Sequence, residues 1–221
     1  MLGLRLRRLL WRWKSQPHSQ LAQTWLEAPS LLGVAVIDAR FLVVDAEMSG
    51  LDPAGAELLS LGWVAVESAE ICLDTARHIP IKNTASVGQS AAIHHLRDCE
   101  LVDAAGVEDA LLALVEAARG RVLVFHHAEL DLAFLNRAAR ECMKAPLLLP
   151  AVDTMLQELK LMRRRDVSPA QGDLRLQSCR DRYGLTAHAA HNALSDALAT
   201  AELFLAQLAT RGSGLRLRDL N

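Results

Sequence analysis

Asp45 and Glu47, separated by one alanine in the stretch FLVVDAEMSGLD, are the first residues whose type and spacing suggest chemistry. Side chains two apart in an extended strand point to the same face, so this spacing presents two carboxylates side by side. Like charges held that close raise one another's pKa unless a cation lies between them, and a divalent cation preferring oxygen ligands meets that need. Two further acids stand near the mouths of elements at wide separation, Asp131 in FHHAELDLAFL and Asp196 in HNALSDALATAELF. Singly, each reads as a helix cap or a surface charge. Four carboxylates converging on one cleft could instead hold two Mg²⁺ or Mn²⁺ ions, and such a pair roughly 3.5 to 4 Å apart stabilises the attacking and leaving oxygens of an in-line phosphoryl displacement. His191 stands five residues before Asp196 and can reach the same cleft, where an imidazole is suited to taking a proton from water near neutrality.

The elements that must position these groups follow from hydrophobic pattern. Leu42, Val43 and Val44 run unbroken into Asp45, which suits a strand buried on both faces and central in its sheet. Ser49-Gly50-Leu51-Asp52-Pro53 supplies turn chemistry, and residues 57–66 and 71–81, joined around Ser68-Ala69, complete an antiparallel meander. Residues 82–99 read as a functional loop. The spacing predicts a helix over 107–118 ended by Gly120, a short buried strand over 122–125, and a helix over 130–143 with Leu132, Leu135 and Ala139 inward. Val152-Asp153-Thr154 opens a further helix reaching residue 163, residues 174–183 form a short helix before Gly184, and residues 193–210 form a closing one. A meander followed by helix, strand and helix predicts an α/β layer fold with a mixed sheet. Residues 1–40 are then a lead-in, 41–210 the domain, and 211–221 a flexible tail.

At this point the chain resembles the DEDDh, or DnaQ-like, 3′-5′ exonucleases. VVDAEMSGLDP resembles their first motif, VFHHAELDLAFL the second and HNALSDALATAEL the third, in order and at domain-scale spacing over about residues 41–208. The resemblance implies an RNase H-like fold with a five-stranded mixed sheet flanked by helices. It also implies metal ligation by Asp45, Glu47, Asp131 and Asp196, with His191 as general base. Substrate contacts are implied at Ala46, Met48, Ser49, Gly50, Leu51, His94 and His127. The chain departs from the family's usual pattern at Met48, where Thr is common, at His127, where Asn is common, and at Leu130 and His95. None of these departures removes a metal ligand. The implied activity is two-metal hydrolysis of single-stranded nucleic acid from its 3′ end, DNA favoured, releasing nucleoside 5′-monophosphates. The alternatives are an RNA-directed exoribonuclease and a non-catalytic nucleic-acid-binding accessory subunit of a polymerase.

Composition constrains less. The chain's 221 residues are 51% apolar, enough for a sizeable core, and a net charge of −2 neither requires nor excludes a polyanionic partner. Four cysteines without CxxC spacing argue against a zinc knuckle or a disulfide framework and suit a reduced, cytoplasmic setting. His188 reads as a loop residue, His126 as a backbone-bonding group or a substrate contact, and Trp63 as core. The opening MLGLRLRRLLWRWKSQ forms a basic amphipathic helix, too short in apolar run for a membrane span. Its expected placement packs the Leu2, Leu6, Leu9, Leu10 and Trp13 face on the domain. Docking to nucleic acid, a membrane surface, a polymerase or another protein partner is the other use of such a helix.

Overall fold

The computed structural model describes residues 2–30, 33–82, 104–189, 191–212 and 214–220. Two helices, α1 (Leu2–Ser15) and α2 (Ser19–Glu27), precede the meander β1 (Phe41–Met48), β2 (Leu58–Glu67) and β3 (Glu70–Pro80). Then follow α3 (Val107–Ala117), β4 (Val122–Phe125), α4 (Ala128–Met143), β5 (Ala151–Asp153), α5 (Thr154–Arg164), α6 (Leu176–Asp181) and α7 (Ala193–Arg211). The five strands form one mixed sheet in the order β3-β2-β1-β4-β5. β2 lies antiparallel to both β1 and β3, while β4 is parallel to β1 and β5.

Period-two alternation along β1 assigns its side chains to two cores. Leu42, Val44 and Ala46 face a layer that includes Leu21, Leu111, Phe134 and Leu135 from α2, α3 and α4, together with Trp63 of β2. Phe41 and Val43 face the other layer, where Ala201 and Phe204 of α7 cover the sheet and the Phe41 and Phe204 rings meet edge-on at 4.9 Å. Asp45 and Glu47 continue the Phe41 face, so the pattern that buries the strand also aims both acids at the α7 side. β4 pairs with β1 only from Phe41 to Val43, which leaves the acidic end of β1 bonded to β2 alone, with space beyond the end of β4.

Three expectations need correction. β5 is a strand of three residues, where the sequence pattern suggested that Val152-Asp153-Thr154 simply opens a helix; the strand ends and the helix begins at adjacent residues. The tail expected to be flexible turns back on the lead-in: the Leu217 amide donates to Val34 O at 3.0 Å, the Val36 amide donates to Leu215 O at 2.8 Å, and Leu217 and Leu220 are buried in the α7-side core. Burying two leucines supplies the driving force that a reading of Gly and Arg content misses. Finally, α1 exposes Leu6, Leu9, Leu10 and Trp13 and packs Leu4 and Trp11 on the core instead. The loop histidines His94 and His95 lie outside the described residues.

Candidate active site

Four segments from different parts of the fold build one cleft of about 770 Å³. From the end of β1 and the turn after it come Asp45, Ala46, Glu47, Met48, Ser49, Gly50 and Leu51; His127 and Asp131 come from the start of α4, and His191 and Asp196 from the entry to α7. Every described residue expected at the site therefore lines the same cavity. Asp45, Glu47 and Asp196 each offer a carboxylate oxygen, and these oxygens all lie within 4.8 Å of one another. Asp131 lines the cleft but stands outside that trio. Asp131 is carried by α4, which packs on the face opposite α7 through Phe134 and Leu135, and its carboxyl accepts from the Ala46 amide of β1 beside Asp45.

Asp196 reaches Asp45 because β2 carries a glycine at the crossing. Gly62 sits directly across from Asp45 in the β1/β2 register. A Cβ there would fall onto the Ala193 carbonyl carbon and the Leu194 amide nitrogen, so only a hydrogen lets the start of α7 lie against the strand. Asn192 caps α7, its side chain accepting from the Leu194 and Ser195 amides, each at 3.1 Å. The loop into α7 is held from below by Arg180, buried in the core, whose guanidinium donates to Ala199 O at 2.6 Å and Thr186 O at 2.7 Å and pairs with Glu202 at 2.7 Å.

The turn after β1 is similarly closed on itself. Ser49 N donates to Glu57 O and Glu57 N to Ser49 Oγ, both at 2.9 Å, while Asp52 Oδ1 accepts from the Ala54 amide at 2.9 Å. Arg137 of α4 clasps the turn from outside, bonding Pro53 O and donating to Ala56 O at 2.7 Å. One carboxylate joins the two helices at the opposite wall: Asp153 Oδ1 accepts from the amides of His127, Met155 and Leu156, and Oδ2 from that of Ala128. His127 adopts a left-handed backbone with φ 79°, which Asn tolerates better than His.

The electrostatics are those of buried acids crowded together. Burial, then the charges of Asp131, Asp196 and Glu47, push the Asp45 carboxyl well above the usual carboxylate range. Burial and Asp196 raise Glu47 to about 7. Burial raises Asp131 to about 8, against the opposing pull of backbone hydrogen bonds from Ala46 and its own amide. A site built this way favours either protons or cations, and oxygen-only ligands in this number suit a hard divalent ion.

Sequence reading missed two contacts. His188, taken as a loop residue, places Nε2 at 2.6 Å from Asp196 Oδ1 and Nδ1 at 3.0 Å from Gln177 Oε1, while His191 meets Asp196 through its backbone amide at 3.1 Å. The i to i+5 spacing points to His191 alone, and nothing in local spacing brings Gln177 of α6 to His188. The segment around 169–175 forms a further wall of the cleft. It is pinned by His126, whose Nε2 donates to Leu174 O at 2.9 Å and whose Nδ1 faces the Thr154 hydroxyl at 2.9 Å, so the backbone-bonding reading of that histidine holds.

A mixed sheet whose central strand ends in paired acids, met by a third from a helix start, has the architecture of the RNase H-like fold. Residues 42–204 match the exonuclease family RNase_T, and the chain belongs to it. Among curated relatives, the DNA polymerase III subunit epsilon of Treponema pallidum is 30% identical over 171 residues, covering 76% of this chain and 76% of that protein. The PolC-type DNA polymerase III of Thermotoga maritima is 28% identical over 169 residues, 76% of this chain but 12% of that much longer protein. Escherichia coli exonuclease I, solved in complex with a dA16 oligonucleotide, has the same fold, with a TM-score of 0.59 at 15% identity over 76% of this chain and 40% of that one.

Proposed function

We propose that this chain is a 3′-5′ exonuclease that hydrolyses single-stranded DNA to nucleoside 5′-monophosphates. The observation that carries the reading is the trio Asp45, Glu47 and Asp196, with oxygens within 4.8 Å of one another, joined by Asp131 in the lining of one cleft. The polymerase III relatives and the oligonucleotide-bound neighbour support DNA as the substrate class.

Crowded, buried carboxyls with raised pKa values at Asp45, Glu47 and Asp131 support a cationic guest at this site. Asp45, Glu47, Asp131 and Asp196 would hold two divalent cations, Mg²⁺ or Mn²⁺, which supply Lewis-acid polarisation of the phosphate and lower the pKa of water. His191 stands exposed at the rim on a left-handed backbone with φ 66°, its amide tied to Asp196 and its ring free of that bond. Its imidazole takes the proton from the attacking water. The Ser49–Leu51 turn, braced by Arg137, offers the terminal nucleotide backbone groups and the exposed Leu51 side chain, an apolar surface for a base. His127 borders the same wall.

The test is shortening of a single-stranded DNA oligonucleotide by purified protein with Mn²⁺. A free 3′ end should be trimmed to mononucleotides, a 3′-blocked strand should survive, and Asp45→Asn should abolish the reaction. An intact free-ended strand with every divalent metal would sink the reading, and faster trimming of the matching RNA strand would transfer it to RNA.

A further inference from the structure

Helix α1 meets the domain with the narrower of its two apolar faces. Leu4 and Trp11 pack on the core, and between them Arg8 donates from Nε to Leu148 O at 2.9 Å and from Nη1 to Trp25 O at 3.0 Å. At 3.6 residues per turn, Leu6, Leu9, Leu10 and Trp13 fall on the side opposite this contact. They are 56%, 58%, 59% and 93% exposed. Arg5 and Arg12 line one margin of that stripe and Arg7 and Lys14 the other, all four exposed. The helix contains no acid, and the first acid of the chain is Glu27.

We propose that this stripe is a docking surface for an anionic lipid bilayer. Four large apolar side chains expose on the order of 500 Å², at the upper end of what a lone soluble surface carries. Fixed to the domain along one side, the helix presents the other as a ridge with cations at equal height on both margins. Laid on a membrane, the leucines and Trp13 enter the boundary between headgroups and acyl chains while the four cations meet lipid phosphates. Charge complementarity selects this occupant. A second copy of the chain would set cation margins against cation margins. A nucleic-acid backbone would satisfy the cations but leave the apolar ridge in water. No described helix is long and apolar enough to cross a membrane, so attachment through α1 is peripheral. The inference is independent of the cleft, since α1 contributes nothing to its lining.

The test is flotation of the full chain with phosphatidylcholine vesicles, with and without phosphatidylglycerol. Binding is expected only to the phosphatidylglycerol vesicles, falling as salt rises. The double variant Leu9→Ser/Leu10→Ser and the single variant Trp13→Ser should lose it, and Arg5→Gln and Arg12→Gln should each weaken it roughly fivefold. Because all these side chains are exposed, each variant should keep the parent melting temperature and its rate on a free oligonucleotide. Absence of flotation with anionic vesicles at low salt overturns the proposal, as does flotation that survives the leucine and tryptophan changes. Variants that instead alter oligomeric mass, or the salt slope of oligonucleotide affinity, without affecting flotation reassign the stripe to a protein partner or to nucleic acid.

Discussion

Gly62→Ala probes the step by which the fold brings Asp196 to the other acids. The new methyl group lands on the backbone of Ala193 and Leu194, which no side-chain rotation can relieve. Restoring an ordinary contact of 3.4 Å requires the start of α7 to retreat by roughly 1 Å, or β2 to bend by as much. Asp196 lies in the first turn of α7, its amide bonded to Asn192 O at 2.9 Å, and moves with it. A misplacement of roughly 1 Å at a reacting centre costs about 10²-fold in rate. Overpacking costs about 1–3 kcal/mol, and the strand preference for Ala over Gly offsets about 0.5–1 kcal/mol of that, so the net loss is about 0–2.5 kcal/mol. At this domain size the melting temperature should fall by up to about 10 °C. The assay is kcat and KM on a single-stranded oligonucleotide at saturating Mn²⁺, with the melting temperature measured beside it. A kcat about 100-fold lower is expected, with KM little changed, because the Ser49–Leu51 turn is held by Arg137 and not by α7. Parental kcat together with parental melting temperature would refute the argument that close approach at Gly62 sets the site.

Other perturbations follow from the same geometry. With folded pKa values of about 7 for Glu47 and about 8 for Asp131, and Asp45 also raised, protonation of these groups favours the folded state. Their stabilisation is complete below the unfolded value of about 4 and is lost as pH rises through 7 to 8, so chelated protein should melt at a lower temperature near pH 8 than near pH 5. Mn²⁺ should reverse the loss at the higher pH, and a flat profile with chelator would contradict the crowding of these acids. His191→Gln should lower kcat by about 10²- to 10⁴-fold while leaving Mn²⁺ affinity unchanged, because its bond to Asp196 runs through the backbone; isothermal titration separates the two effects. Arg137→Gln should release the turn over residues 53–56, raising KM more than it lowers kcat and costing about 1.5–3 kcal/mol measured by urea unfolding.

What could be read in advance was whatever local periodicity encodes. The unbroken run before Asp45 located the central strand, and the i, i+2 spacing of Asp45 and Glu47 placed both acids on one face. What periodicity leaves open is which face meets which layer. The stripe Leu6, Leu9, Leu10 and Trp13 is the larger apolar face of α1, yet the domain selects Leu4 and Trp11, because Arg8 between them finds two backbone carbonyls to satisfy. Asp131 lines the cleft with the other acids, but that its helix comes from the opposite layer to α7 is visible only once β1 is seen to separate two cores. β5, at three residues, is too short to show any period. Gly62 looks like an interruption within a strand, and its purpose depends on a helix that begins 131 residues later.

The Asp153 carboxylate, which accepts from the amides of His127, Ala128, Met155 and Leu156, makes the mutational tolerance of this wall very uneven. Asn would turn an NH₂ toward at least one of those donors, and Glu would carry the acceptor one methylene too far, so neither conservative exchange is conservative here. Substitutions that weaken α4 and substitutions that weaken α5 are then not independent, since both helices begin at one shared acceptor. Their effects should combine non-additively, and a map of pairwise epistasis across residues 127–131 and 154–158 would trace the reach of that single side chain.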